Sequence, residues 1–139
     1  MNSNNYFDLL GTFIVILFIA AIVTFILLAK KSSERAAQSE MTVNQIMSQL
    51  PGEKQTLFMM QYQNVRKNPT TAVLLALFLG GIGAHKFYLN NAGMGIVYLL
   101  FCWTYIPAII AFIEAFTIAG KVSEINEQKA REISTLLFR

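Results

Sequence analysis

Few residues in the apolar half of this 139-residue chain could do proton or ion chemistry: His85, Lys86 and Glu114, with one cysteine, Cys102. Ionisable groups set among apolar residues are costly to bury and call for partners. A metal site needs a second histidine, a cysteine or a carboxylate near the lone His85; none stands beside it in the sequence, so no metal is expected. Nucleophilic or acid–base catalysis needs a Ser/His/Asp, Cys/His or paired-carboxylate arrangement. The chain shows none of these, so it is expected to be no enzyme and to need no cofactor. Gly80-Gly81-Ile82-Gly83, three glycines in four positions before His85, invites a phosphate-cradle reading. A phosphate loop wants a preceding strand and the fuller Gly-Lys-Ser/Thr arrangement, and both are missing. Cys102 lies in an apolar run and reads as a buried, inert thiol. A single cysteine also excludes an internal disulfide.

The elements that must position these residues follow from composition. Hydrophobic residues make up 55% of the chain and charged ones only 14%, against about 25% charged in ordinary soluble domains. The apolar residues sit in blocks. The first, Leu9 to Ala29, has 21 residues and no charge, which gives a helix of roughly 30 Å, the hydrocarbon thickness of a bilayer. No lysine or arginine precedes it and Lys30-Lys31 follow it, so it reads as an uncleaved anchor. The second block, Thr70 to Leu89, and the third, Ala92 to Ala119, are separated only by Asn90-Asn91. Joined by so short a turn, they are expected to form a membrane hairpin of antiparallel neighbours.

Between the first two blocks, Val43, Ile46, Met47 and Leu50 repeat on one helix face. Pro51-Gly52 interrupts them, and a second helical stretch runs from about Glu53 to Lys67. The pair reads as a helical hairpin, a partner-binding helix, a membrane-surface helix or an amphipathic linker packed on its own neighbours. The tail from Lys121 carries Val122, Ile125, Ile133, Leu136 and Leu137 as an apolar stripe and reads as a surface helix resting on the bilayer.

Small residues recur every four positions in the second block, at Ala72, Ala76, Gly80 and Ala84, and in the third at Ala111, Ala115 and Ala119. Helices in lipid associate where small residues let backbones approach. These stripes are therefore expected contact faces, within the hairpin or between copies. Lysines and arginines favour the cytoplasmic side. Three spans with the N-terminus outside place ten of the eleven there, Arg139 included, and leave Lys86 alone on the outer face. If the chain reverses at Asn90-Asn91, residue numbers at one depth sum to about 181, and Lys86 lies roughly 28 Å from the level of Glu114. Glu114 is then expected to pair with Arg66 or Lys67. His85, Lys86, Phe87 and Tyr88 would mark the outer interface, anchoring it or recognising a lipid headgroup or external partner.

The segment LLALFLGGIGAHKFYLNNAGMGIVYLL, with the acidic FIEAF late in its second helix, resembles the TM-two domain (two-transmembrane domain) family. His85, Lys86 and Phe87 match that family's acidic/His–basic–Phe motif near the turn, and Tyr88-Leu89 continue it. Asn90 stands where relatives carry glycine, and Glu114 matches their late acidic position. The resemblance covers about Asn68 to Ala119, and PGEKQTLFMMQYQNVRKNP resembles the lead-in of bacterial members. It implies a bacterial integral membrane protein and supplies no mechanism.

The expected fold is an all-α membrane protein with three transmembrane helices, an N-terminal anchor plus a C-terminal hairpin, and cytoplasmic amphipathic helices. Its expected divisions are an anchor over 1–31, an amphipathic linker over 32–68, a hairpin domain over 69–120 and a cytoplasmic tail over 121–139. The expected function is that of a non-enzymatic scaffold or partner-binding module in the bacterial inner membrane, with the bilayer and either its own copies or another membrane protein as partners. The basic residues lack the clustering of a nucleic-acid surface, so no nucleic acid is expected. The alternative is an oligomeric pore or ion-conducting toxin-like or defence effector. For that, Thr104, Glu114 and Thr117 form no continuous polar face.

Overall fold

A computed structural model describes residues 3–138, with side chains described from Asp8 onward, so Arg139 lies outside the described residues. Among the described residues every regular element is helical. The helices are α1 (Ser3–Ser48), α2 (Gly52–Val65), α3 (Pro69–Leu79), α4 (Ala84–Tyr88), α5 (Ala92–Phe101), α6 (Ile106–Ala115) and α7 (Ile118–Leu137). Two single 3₁₀ turns, Gly80–Ile82 and Cys102–Thr104, sit between them.

α1 has 46 residues and is about 69 Å long. It passes residue 31 without a break. Its apolar portion is exposed from Asp8 to Leu28, while beyond it Ser32, Ser39 and Val43 are buried. That second half belongs to a three-helix bundle. Ser32 Oγ accepts from Gly120 N at 3.0 Å and Ser39 Oγ donates to Ser123 O at 2.7 Å, so α7 runs parallel to α1. The chain turns at Pro51, and α2 returns along both, with Lys54 Nζ donating to Leu137 O near the far end of α7. Val43, Leu50, Phe58, Tyr62, Ala130 and Ile133 form the core, each large side chain contributing about 1.5–3 kcal/mol by leaving water. The apolar stripe of the tail is used here. Val122 and Ile133 are buried and Ile125 and Leu137 half-buried, which corrects the surface-helix expectation and leaves only Leu136 of the stripe exposed. The stripe of α7 meets two complementary faces in its own chain, so it has no apolar face left for a bilayer.

Residues 69–115 form a second, apolar unit. Asn68 caps α3 by accepting from Thr70 N at 2.8 Å, and Pro69 occupies the first turn, where its missing N–H costs nothing. α3 and α6 lie antiparallel, with Ala72, Ala76, Ala115, Ile118 and Val122 in one buried cluster. One helix, α1, is long and apolar enough to cross a membrane, and the pair α6–α7, bent by 67°, would make a second if counted as one span. The blocks expected as the second and third spans are helices of 11, 10 and 10 residues, besides the short α4. α5 with its 3₁₀ turn rises about 21 Å, short of the ~30 Å of a bilayer core.

Candidate functional site

Gly83 makes the site possible. At φ 75 it occupies the left-handed region, which glycine enters at little cost. The chain thereby reverses from α3 into α4, and Gly83 O accepts from Lys86 N at 2.9 Å. This turn sends His85 and Lys86 back toward α6, both buried.

Glu114, on the last turn of α6, receives them. Its Oε2 lies 2.9 Å from His85 Nε2 and accepts from the Tyr98 hydroxyl at 3.2 Å. Its Oε1 accepts from Lys86 Nζ at 2.6 Å and lies 3.7 Å from Lys121 Nζ. The partners come from α4, α5 and α7, so one carboxylate ties four helices. Tyr98 also sets its ring edge-on to His85, with centroids 5.4 Å apart, and lies 5.3 Å from Lys86 Nζ. An ionised carboxylate only accepts, so His85 donates to it from Nε2. His85 Nδ1 is the one buried side-chain nitrogen or oxygen among the described residues that lacks a partner. With its acceptor positions filled, Glu114 is placed for charge-assisted cross-linking of helices.

The expected pairing of Glu114 with Arg66 or Lys67 is corrected. Lys67 Nζ donates to Tyr88 O at 2.5 Å and to Asn90 Oδ1 at 3.2 Å, while Arg66 lies 6.0 Å from the centre of the Tyr62 ring. The depth scale failed because α3 reverses at Gly80–Gly83, not at Asn90-Asn91. Gly80 meets Ala111, where a reversal at the asparagines would set it beside Phe101. Lys86, expected far from Glu114, shares that carboxylate with Lys121.

The other expected site residues fall as follows. Tyr88 accepts from Asn68 N through its hydroxyl at 2.8 Å, and Phe87 packs against Gly95, so this pair binds α4 to its neighbours. Ala72, Ala76, Gly80, Ala111 and Ala115 are buried within the chain, and Ala84 and Ala119 are half-buried. Cys102 is exposed, contrary to the buried thiol expected. Sequence reasoning missed Tyr98 and Lys121 as members of the cluster. Helical spacing could not have signalled Lys121, because α6 and α7 are separate helices bent by 67° between Ala115 and Ile118.

The TM2 domain family, the TM-two family of the sequence resemblance, matches residues 65–116, which hold every member of the cluster except Lys121. The uncharacterized membrane protein YozV of Bacillus subtilis is 65% identical over 49 residues, 35% of this chain and 62% of that relative, so the match spans less than two thirds of its length. An uncharacterized protein of Methanocaldococcus jannaschii is 31% identical over 80 residues, 58% of this chain and 79% of the relative. Neither printed name is that of an enzyme. No solved structure matches the chain.

Proposed function

The chain belongs to the TM2 domain family and is a membrane protein, and from that premise we propose that it is a non-enzymatic scaffold of the bacterial inner membrane. In this reading α1 crosses the bilayer with the N-terminus outside, the three-helix bundle is cytoplasmic, and the hairpins of 69–115 insert beside the span from the cytoplasmic side. The charge pattern supports the orientation: Lys86 sits with Lys121 and Lys67, so no described basic residue is left at the other end.

One observation carries the scaffold reading. The span of α1 is exposed from Asp8 to Thr24 and meets its own chain only toward its bundle end, where Phe25 packs edge-on against Phe116, yet it is one unbroken helix with the bundle. The small-residue faces of α3 and α6 are consumed within the chain, so contact with a second copy or another membrane protein falls to α1. A helix gripped in the membrane would then hold the bundle at a set place and orientation.

Cysteines introduced at Ile16 and Val23 in a Cys102→Ser background are expected to give crosslinked adducts in native membranes, at twice the mass where the partner is a second copy. No adduct from any face of α1 would end the scaffold reading. The purified protein in planar bilayers is expected to pass no more current than lipid alone. A current abolished by Glu114→Ala would replace the scaffold with the pore.

A further inference from the structure

Glu114 lines one cavity, and the two lysines that face its carboxylate, Lys86 and Lys121, line another. The first, of about 250 Å³, opens between α5 and α6, lined by Met94, Val97 and Phe101 on one side and Pro107 and Ile110 on the other. Glu114 lies at its bundle-side end, one helical turn beyond Ile110. The second, of about 340 Å³, lies where α4 and α5 meet α7, and Lys86, Asn91, Lys121 and Gln128 line it. The first is apolar almost throughout. The second is mixed, with Leu89 and Ile125 also in its wall, and offers two ammonium groups.

The charges select the ligand. Lys86 and Lys121 both face one oxygen of Glu114, at 2.6 and 3.7 Å, so two positive charges answer one negative. Glu124, which also borders the second cavity, is matched by Arg35 at 3.3 Å. The carboxylate of Glu114 already faces His85, Tyr98 and both lysines and has nothing to give a cation. Lys121 is half exposed and has donors to spare, since an ammonium carries three. The complement is an anionic oxygen group joined to an apolar tail.

We propose that the two cavities form one site for an anionic phospholipid, with an acyl chain between α5 and α6 and the phosphate oxygens on Lys121 and Lys86. The site rests on the membrane placement proposed above, which sets the apolar cavity in the hydrocarbon layer and the lysines at its cytoplasmic edge. Basic residues at that edge attract anionic lipid generally; here an apolar cavity beside them, with room for part of an acyl chain, adds a second, independent requirement.

Trp103, the single tryptophan, reports on the cavity because it stands on the 3₁₀ turn joining α5 to α6 at the end away from Glu114. The full chain is placed in phosphatidylcholine vesicles in which a minor fraction of the lipid is brominated on its acyl chains, as phosphatidylglycerol or as phosphatidylcholine. Brominated phosphatidylglycerol is expected to quench Trp103 more at equal fraction. Its preference should fall roughly fivefold in Lys121→Gln, the share of one basic residue. Ile110→Phe, which fills the cavity and keeps both lysines, should remove the excess quenching as well. Inorganic phosphate in the buffer should change nothing. Equal quenching by the two lipids, or a preference untouched by both variants, overturns the lipid site. Loss of the preference on adding phosphate overturns it too and assigns the lysines to a free anion. If neither lipid quenches, the membrane placement itself fails, and the site with it.

Discussion

Glu114 draws donors from three helices, and its removal would leave Lys86, a cation only 6% exposed, without a counter-charge. Breaking such a pair costs about 3–5 kcal/mol, because the surviving charge stays buried. Glu114→Lys is therefore expected to destabilise the chain in detergent by about 3 kcal/mol, read from the shift of its unfolding midpoint. Lys86→Glu should restore part of that loss, whereas Lys67→Glu should restore none, because Lys67 is spent on Tyr88 and Asn90. Equal rescue by the two would contradict the cluster. A second residue-scale effect lies in the bundle, where burial pushes the Tyr62 phenol above its ordinary value of 10.0. Arg66 lowers it and Glu40 raises it, both by lesser amounts. With the folded value above the unfolded one, the stability that the neutral phenol contributes is full below 10.0 and is lost as pH rises through the folded value. Wild type should therefore weaken in alkali more than Tyr62→Phe does, as followed by urea unfolding on either side of pH 10.0. Parallel curves for the two proteins would remove this role.

At the scale of elements, the 80–83 turn decides how the apolar unit packs. A methyl group added at Gly80 would stand 2.4 Å from the Ala111 Cβ, so α3 and α6 touch there without side chains between them. Gly80→Ala is expected to cost about 1–3 kcal/mol by forcing the helices apart. The double variant Gly80→Ala with Ala111→Gly should recover most of it, and additive losses instead would mean the two helices do not meet at this point. The face itself was legible: Ala72, Ala76, Gly80, Ala111 and Ala115 repeat at helical spacing, and all are buried. The stripe of Val43 and Leu50 was legible for the same reason. The reversal inside the glycine run was not, because an apolar block reads as one continuous helix unless a residue that must break it is recognised. Gly83, with its positive φ, was that residue. The second turn offered still less to read, since Tyr105 takes φ 59 within an apolar run that carries only Pro107 as a sign of interruption.

For the whole molecule, the two missed reversals change which residues share an end. An outer turn at Asn90-Asn91 follows from treating two apolar blocks as two full crossings, and block length alone cannot tell one crossing from two half-depth hairpins. The folded chain brings Lys67 to Tyr88 and Asn90, and Lys86 to Glu114 and Lys121, so the start of α5 lies at the bundle end. Gly93 is the position at which to test this. It sits on the first turn of α5, and a Cβ added there meets nothing within 4 Å, so a cysteine can be introduced without strain. In a Cys102→Ser background, Gly93→Cys should react with a membrane-impermeant maleimide only when the cytoplasmic face is opened, alongside Gln128→Cys. Asn4→Cys should react in intact cells. Reaction of Gly93→Cys from outside would return the asparagine turn to the outer face, detach Lys86 from Glu114 in the membrane, and restore two full crossings. Protection from outside, with Gln128, would leave α1 the one helix that has to carry any contact across the bilayer.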